Sequence, residues 1–256
     1  MAKRLTRHVW RFSRIVLLPV LGFAAIAVHC LPAAADPSPI NERPMYGGVQ
    51  KTPEMLEADR AFISMFESKG ISRDVAANDA VERGWRALHA GDLRTAIKRF
   101  NQAWLLDPEN GASYWGMAAV VGDRDRDFVQ TDALFQRALE LLADDSDLHV
   151  DYGRFLSQLF GFERRTVNAQ KASDALERST TSFRRALELN PKARDAHAAL
   201  AQNLFLQQDL DGAYRHLRTA IERGEGKGFT LLPIIKCMMD KGIDRMEDPR
   251  AMACAP

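Results

Sequence analysis

The chain has 256 residues, 46% of them apolar, with 35 Lys and Arg against 34 Asp and Glu, a net charge of +1. So many apolar residues exclude a disordered chain, and the even balance offers no basic excess to a dedicated nucleic-acid binder. Three cysteines exclude a disulfide-built scaffold, and 11 Pro with 16 Gly exclude a low-complexity linker.

The charge is unevenly spread. Residues 1–35 hold five basic side chains (Lys3, Arg4, Arg7, Arg11 and Arg14) and no acid. Residues 15–28, IVLLPVLGFAAIAV, form an apolar run of signal-peptide length, followed by small residues at Ala33-Ala34-Ala35. This pattern predicts a cleaved export signal ending at Ala35, and with it a periplasmic or secreted protein. An uncleaved membrane anchor is the alternative, but the run is short for a span and Pro19 interrupts it. A lipid anchor at Cys30 is disfavoured by His29 just before it. Taking 35 residues and their five basic groups from 256 leaves 221 residues, 30 basic against 34 acidic side chains, and two cysteines, Cys237 and Cys254. The exported chain is then mildly acidic, which further disfavours nucleic acid or an anionic membrane as partner.

Residues 36–52 hold three prolines and two glycines and read as an extended, flexible leader. Residues 53–69 read as a helix starting at Pro53, with Leu56, Phe62, Met65 and Phe66 on one face and Gly70 as its stop. This helix is expected to cap the end of the following array, with Ser72 capping the next helix.

Four stretches then align on an alanine: Ala103, Ala138, Ala186 and Ala220, at separations of 35, 48 and 34 residues. Three residues before each stands a bulky apolar side chain (Phe100, Phe135, Phe183 and Leu217) and seven before a small one (Ala96, Thr131, Ser179 and Ala213). Pro108 and Pro191 follow two of the alanines by five residues. The pattern resembles the tetratricopeptide repeat family, whose period is about 34 residues. Small residues let two helices cross closely, the bulky residue fills the space beside them, and proline ends the second helix. The resemblance implies an all-α fold, a short right-handed superhelical solenoid of helix–turn–helix repeats over 77–110, 111–145, 146–193 and 194–227. First-helix positions agree at Gly84, at Tyr114, Met117, Ala118 and Val121, at Tyr152 and Gly153, and at His197, Leu200, Ala201 and Leu204. The 48-residue spacing places an insertion at 161–178, expected as a longer loop followed by a lengthened second helix. The apolar stretch FTLLPIIKCMMD, 229–240, reads as a closing helix begun or broken near Pro233, and 241–256 as a loose tail.

No catalytic, phosphate-binding or dinucleotide fingerprint occurs, and neither a cofactor nor a metal is expected. His89, His149, His197 and His216 fall in repeat helices and read as packing or surface residues. Asp123, Asp125 and Asp127 alternate as in a calcium loop, but Phe128 and Leu134 occupy the sixth and twelfth positions, where such a loop needs Gly and Glu. Cys237 and Cys254 could pair in an oxidising compartment, or stay separate.

In tetratricopeptide proteins the first helices line the concave groove. The resemblance therefore implies a partner-binding face of Asn78, Trp85, His89, Trp115, Asp147, Arg154, Gln158, Asp195, Gln202 and Phe205, with Val81, Ala119, Asp123 and Val150 among them. Members that clamp a free C-terminal carboxylate use Lys and Asn where this chain has Val81 and Trp85, so that mode is not expected. Trp85 and Trp115 are candidate anchors for an apolar or aromatic segment, or else packing between first helices. The favoured function is an exported adaptor or assembly factor that binds a protein or extended peptide and does no chemistry. Two alternatives are kept: an enzyme or subunit of cell-envelope carbohydrate metabolism using Asp147 or Asp195, and a self-assembling scaffold stacking through the C-terminal helix.

Overall fold

The computed structural model describes residues 38–224, 231–243 and 248–254. The export segment and its cleavage site lie outside them. Among the described residues there are ten α-helices and no strand: α1 (Pro53–Glu67), α2 (Arg73–His89), α3 (Leu93–Leu106), α4 (Gly111–Arg124), α5 (Phe128–Leu141), α6 (Ser146–Arg165), α7 (Ala169–Leu189), α8 (Ala196–Leu206), α9 (Leu210–Glu222) and α10 (Leu231–Asp240). They pack as successive helix pairs, α2 with α3, α4 with α5, α6 with α7 and α8 with α9. The first helices also meet one another, α2 on α4 and α6 on α8. The described residues form an all-α solenoid of repeated helix pairs. No helix among the described residues is long and apolar enough to cross a membrane.

Local sequence explains where the helices start. The side chains of Asp92, Asn110, Asp127, Asp145 and Asp209 each accept the backbone N–H three residues on, at 2.8–3.1 Å. Each satisfies an otherwise orphaned donor of the first turn. Ser72 occupies the cap position of α2, but its hydroxyl accepts no such bond. It hydrogen-bonds Asp74 instead, holding that carboxyl below its usual range. Between α2 and α3 the chain reverses at Gly91, where φ is +78° and a side chain would be strained.

The four aligned alanines are fully buried where the helices cross. Beside them, Phe100 of α3 lies between two glycines. A Cβ on Gly84 would come 2.6 Å from its ring, and one on Gly116 would come 2.1 Å from it. Phe183 meets Gly153 in the same way, at 2.8 Å. The ring can therefore span two consecutive first helices, α2 and α4, only because both lack a side chain there. Ser179 is buried at the third crossing. Its hydroxyl donates to the Gly153 carbonyl at 2.8 Å and accepts from Asn203 at 2.8 Å, tying α6, α7 and α8 together.

Four sequence expectations change. The insertion does not make a longer loop: α6 has 20 residues and α7 has 21, against 14 in each of α3, α4 and α5. Only residues 166–168 join them, because both flanks carry apolar residues at helical spacing and pair along their length. Phe162 on the added part of α6 packs on Phe128, with centroids 4.9 Å apart. The part of the leader described, 38–52, is not an unattached strand. Two 3-10 turns, Ile40–Glu42 and Pro44–Gly48, dock on α3. Fully buried Asn101 accepts from the Met45 N–H at 2.8 Å and donates to the carbonyls of Asn41 and Arg43 at 3.0 and 2.8 Å. Buried Glu42 lies 3.0 Å from Lys98 and 3.1 Å from Arg94, which hold its carboxyl below the usual range. Helix α1 reaches the core through Phe62, Ile63 and Phe66, while Leu56 and Met65 face solvent. The tail is held too: α10 begins before Pro233 and buries Ile235 and Met238, and Cys237 is disulfide-bonded to Cys254 in a 3-10 turn, Pro249–Cys254.

Candidate functional site

Tight packing of the first helices decides which expected groove residues remain available. Trp85 and Trp115 are only 5% and 9% exposed. They meet edge to face with centroids 5.2 Å apart, and Trp85 also contacts Phe100 at 5.4 Å. They fill the seam between α2 and α4, because helices brought close by Gly84 and Gly116 leave the neighbouring indoles nowhere else to pack. Phe205 is likewise buried. These three are core residues rather than open anchors. Asn78, His89, Asp147, Gln158 and Gln202 are exposed, and Arg154 and Asp195 half-buried. Asn78 accepts a hydrogen bond from Asn110 at 3.0 Å, and His89 stacks on Trp85 at 6.2 Å.

A polar chain crosses the first helices. The Trp115 indole N–H donates to Asp151 at 3.2 Å, Arg154 donates to the same carboxylate at 3.2 Å, and its other nitrogen reaches Asp195 at 2.9 Å. Arg154 thus links α6 to the start of α8. Burial pushes the Asp151 carboxyl up to about 6, against the opposing pull of Arg154 and Trp115. Asp151 was not singled out in the sequence, where it reads as one more acid on a helix. Its signal was position, on the same face as Arg154 and one turn after Asp147.

Next to this chain, a small recess open to solvent runs between α4 and α6 down to α5. Ala118, Ala119, Phe135 and Phe155 wall it. Asp151, Arg154 and Gln158 stand among its polar lining, and Thr131 also borders it. Thr131 is 1% exposed and its hydroxyl has no hydrogen-bond partner. In the sequence Thr131 stood out only as the small crossing residue of the second pair. What the sequence concealed is that its hydroxyl is enclosed without a partner beside the recess between α4 and α6.

The other candidates have structural roles. His197 and His216 join α8 to α9 through a contact of 2.9 Å between their Nδ1 atoms. Burial, with His197 and nearby arginines, pulls His216 down to about 4. His149 contacts the Ala143 carbonyl through Nε2 at 2.9 Å. Asp125 is bound by Arg124 at 2.6 Å and Asp127 caps α5. No group of three or more metal-ligating side chains is assembled among the described residues.

No protein-family model matches the chain, and no curated protein matches it. Among solved structures it is similar to an O-GlcNAc transferase mutant of Thermobaculum terrenum, with a TM-score of 0.42 and 20% identity over 65% of this chain and 27% of that one. It is similar to pilF of Pseudomonas aeruginosa, with a TM-score of 0.39 and 18% identity over 67% and 88%. It is also similar to a monomeric mutant of IFIT1 solved with Gppp-AAAA, with a TM-score of 0.40 and 14% identity over 78% and 53%. The chain spans about a quarter of the first of these. At such identities and scores, no residue role passes from them to this chain.

Proposed function

We propose that the chain is an exported adaptor that binds an extended segment of another protein on the face of its first helices and carries out no chemistry. The observation that carries this reading is the divergence of α4 and α6. It leaves an open recess beside the Asp151–Arg154–Asp195 chain. An extended segment lying across α4, α6 and α8 would meet Gln158, Arg154, Asp195 and Gln202 in turn. Apolar recess walls would supply binding energy, and the polar groups would fix register. Export is supported by the basic, apolar and small-residue succession of residues 1–35.

Photo-crosslinking residues placed at Gln158 and Gln202 test the binding face, with exposed Gln136 of α5 as the control position. The proposal expects one protein partner captured from the first two sites and not from the third. Capture from Gln136 alone would move the interface to the second helices and refute the reading. N-terminal sequencing of the protein recovered from its cells tests export: a start at Asp36 in the envelope fraction supports it, and an intact start in the cytosol overturns it.

A further inference from the structure

The lengthened third pair projects beyond its neighbours. Helix α7 has 21 residues, and α8, which returns from its far end, has 11. At about 1.5 Å per residue, α8 stops about 15 Å short of the turn between α6 and α7. That turn carries Val167, 89% exposed, the most exposed large apolar side chain among the described residues. Its φ is +60°, where a β-branched residue is strained and a glycine would not be. The fold recovers nothing from this side chain by burial, whereas a surface that covered it would. The adjoining edge is similar. Val129, at the start of α5, is 83% exposed, and Phe162, near the end of α6, is exposed while packing on Phe128 with centroids 4.9 Å apart.

The same loop and helix end carry Arg126, Arg164 and Arg165, all exposed and none in an ion pair with another described residue. Arg164 lies over the Phe160 ring instead, at 5.5 Å. The acids beside them are engaged: Arg124 holds Asp125 at 2.6 Å, Asp127 caps α5, and Glu163 accepts from the Thr166 hydroxyl at 3.3 Å. The mild acidity of the chain is an average, for residues 161–171 hold three cations and one acid. Exposed apolar groups beside unpaired cations match a surface with anionic groups outside and hydrocarbon beneath. The leader docks beside this edge, where Arg124 donates to the Glu42 carbonyl at 3.0 Å and Arg43 to that of Ser38 at 2.9 Å. The apolar run of residues 15–28 ends ten residues before Ser38, so an N-terminal segment engaged with a bilayer would bring this edge to it.

We propose that the α6–α7 tip and the start of α5 dock on an anionic lipid surface. Val129, Phe162 and Val167 enter the acyl boundary, and Arg126, Arg164 and Arg165 meet the headgroup phosphates. This edge is separate from the recess and its polar chain, and the proposal does not rest on the adaptor reading.

The full chain, purified in the form its cells produce, tests it. An environment-sensitive fluorescent amino acid is placed at Val167 or Val129, with Lys192 as the control. Lys192 is exposed in the turn at the other end of α7, about 30 Å away. Vesicles of phosphatidylcholine, alone or mixed equally with phosphatidylglycerol, are titrated in. The tip probes are expected to shift to the blue only with the mixed vesicles, and the Lys192 probe with neither. Arg164→Gln with Arg165→Gln should raise the half-maximal lipid concentration about 25-fold, about fivefold for each cation withdrawn. Val167→Gly, read at Val129, should weaken the response without loss of thermal stability, which a purely structural role would not allow. No blue shift at the tip, an equal shift at Lys192, an equal response to neutral vesicles, or a response that survives these substitutions overturns the proposal. If Val167→Gly binds vesicles as the parent does but loses a protein photo-crosslinked from Val129, the tip is a protein surface and the lipid assignment falls.

Discussion

Two glycines six residues apart in α4 should respond oppositely to the same substitution. At Gly116 an added Cβ would lie 2.1, 2.3 and 2.4 Å from three carbons of the Phe100 ring. Ordinary carbon contacts lie at roughly 3.5–4 Å, so the ring would have to move by more than about 1 Å. It has nowhere to go, since it is fully buried and Gly84 on α2 already holds its other flank at a virtual 2.6 Å. Overpacking of this kind costs about 1–3 kcal/mol and sometimes more, while replacing a mid-helix glycine by alanine returns about 1 kcal/mol of propensity. With the ring confined on both sides, a net loss of about 2 kcal/mol is expected for Gly116→Ala. At Gly122 the nearest atom is the Thr131 methyl at 3.3 Å, so Gly122→Ala should be neutral or stabilising by up to about 1 kcal/mol. Urea unfolding followed by circular dichroism measures both, with unchanged m-values as the condition for comparing midpoints. Phe100→Leu in the Gly116→Ala background should recover part of the loss, giving a coupling of about 1 kcal/mol. A Gly116→Ala protein as stable as the parent, or strictly additive double-mutant energies, would refute the claim that Phe100 is clamped between two first helices.

Three further outcomes are expected. Asn101→Leu removes three hydrogen bonds from the docked leader and leaves its donor and acceptors unmatched; amide exchange across 41–48 should rise by at least tenfold while exchange in α6–α9 is unchanged, and uniform exchange throughout would count against the docking. The Asp151 carboxyl is held at about 6 against an ordinary 3.8, so the folded state binds the proton more tightly than the unfolded one. Its contribution is then fully present below about pH 4 and is lost as pH rises toward 6; Asp151→Asn should flatten that part of a stability–pH curve, and an unaltered slope would show that the carboxyl is not desolvated. The Cys237–Cys254 bond closes a loop of sequence separation 17, for which chain entropy gives about 3 kcal/mol; Cys254→Ser should loosen 248–254 in amide exchange and spare α2–α7, whereas protection of the tail equal to the parent would assign its anchoring to packing alone.

The sequence was informative wherever a residue type has one local meaning. Aspartate or asparagine before a helical run caps it, glycine at a turn reverses it, and alanines in register three residues after bulky apolar side chains mark helix crossings. From these the helical hairpins, Phe100 and Phe183 at their crossings, and Gly84 and Gly153 opposite them were all legible in outline. The signal was weaker where one residue type serves two ends. A tryptophan on a first helix reads equally as an anchor or as filling. Which it is depends on how closely the next helix approaches, and that is set by Gly116, on another helix, thirty-one residues after Trp85. Asn101 carried a readable sign, a polar residue between Ile97 and Trp104 on an apolar stripe, but not the identity of what it holds. Local pattern and spacing thus determined that this chain is a helical repeat, and where its helices begin and cross. Tertiary structure alone decided which groove residues are spent on packing, that the described parts of the leader and tail are tied down, and that a recess lies between α4 and α6. Burial and the distance between helices are properties of pairs of segments, and no single stretch of sequence contains them.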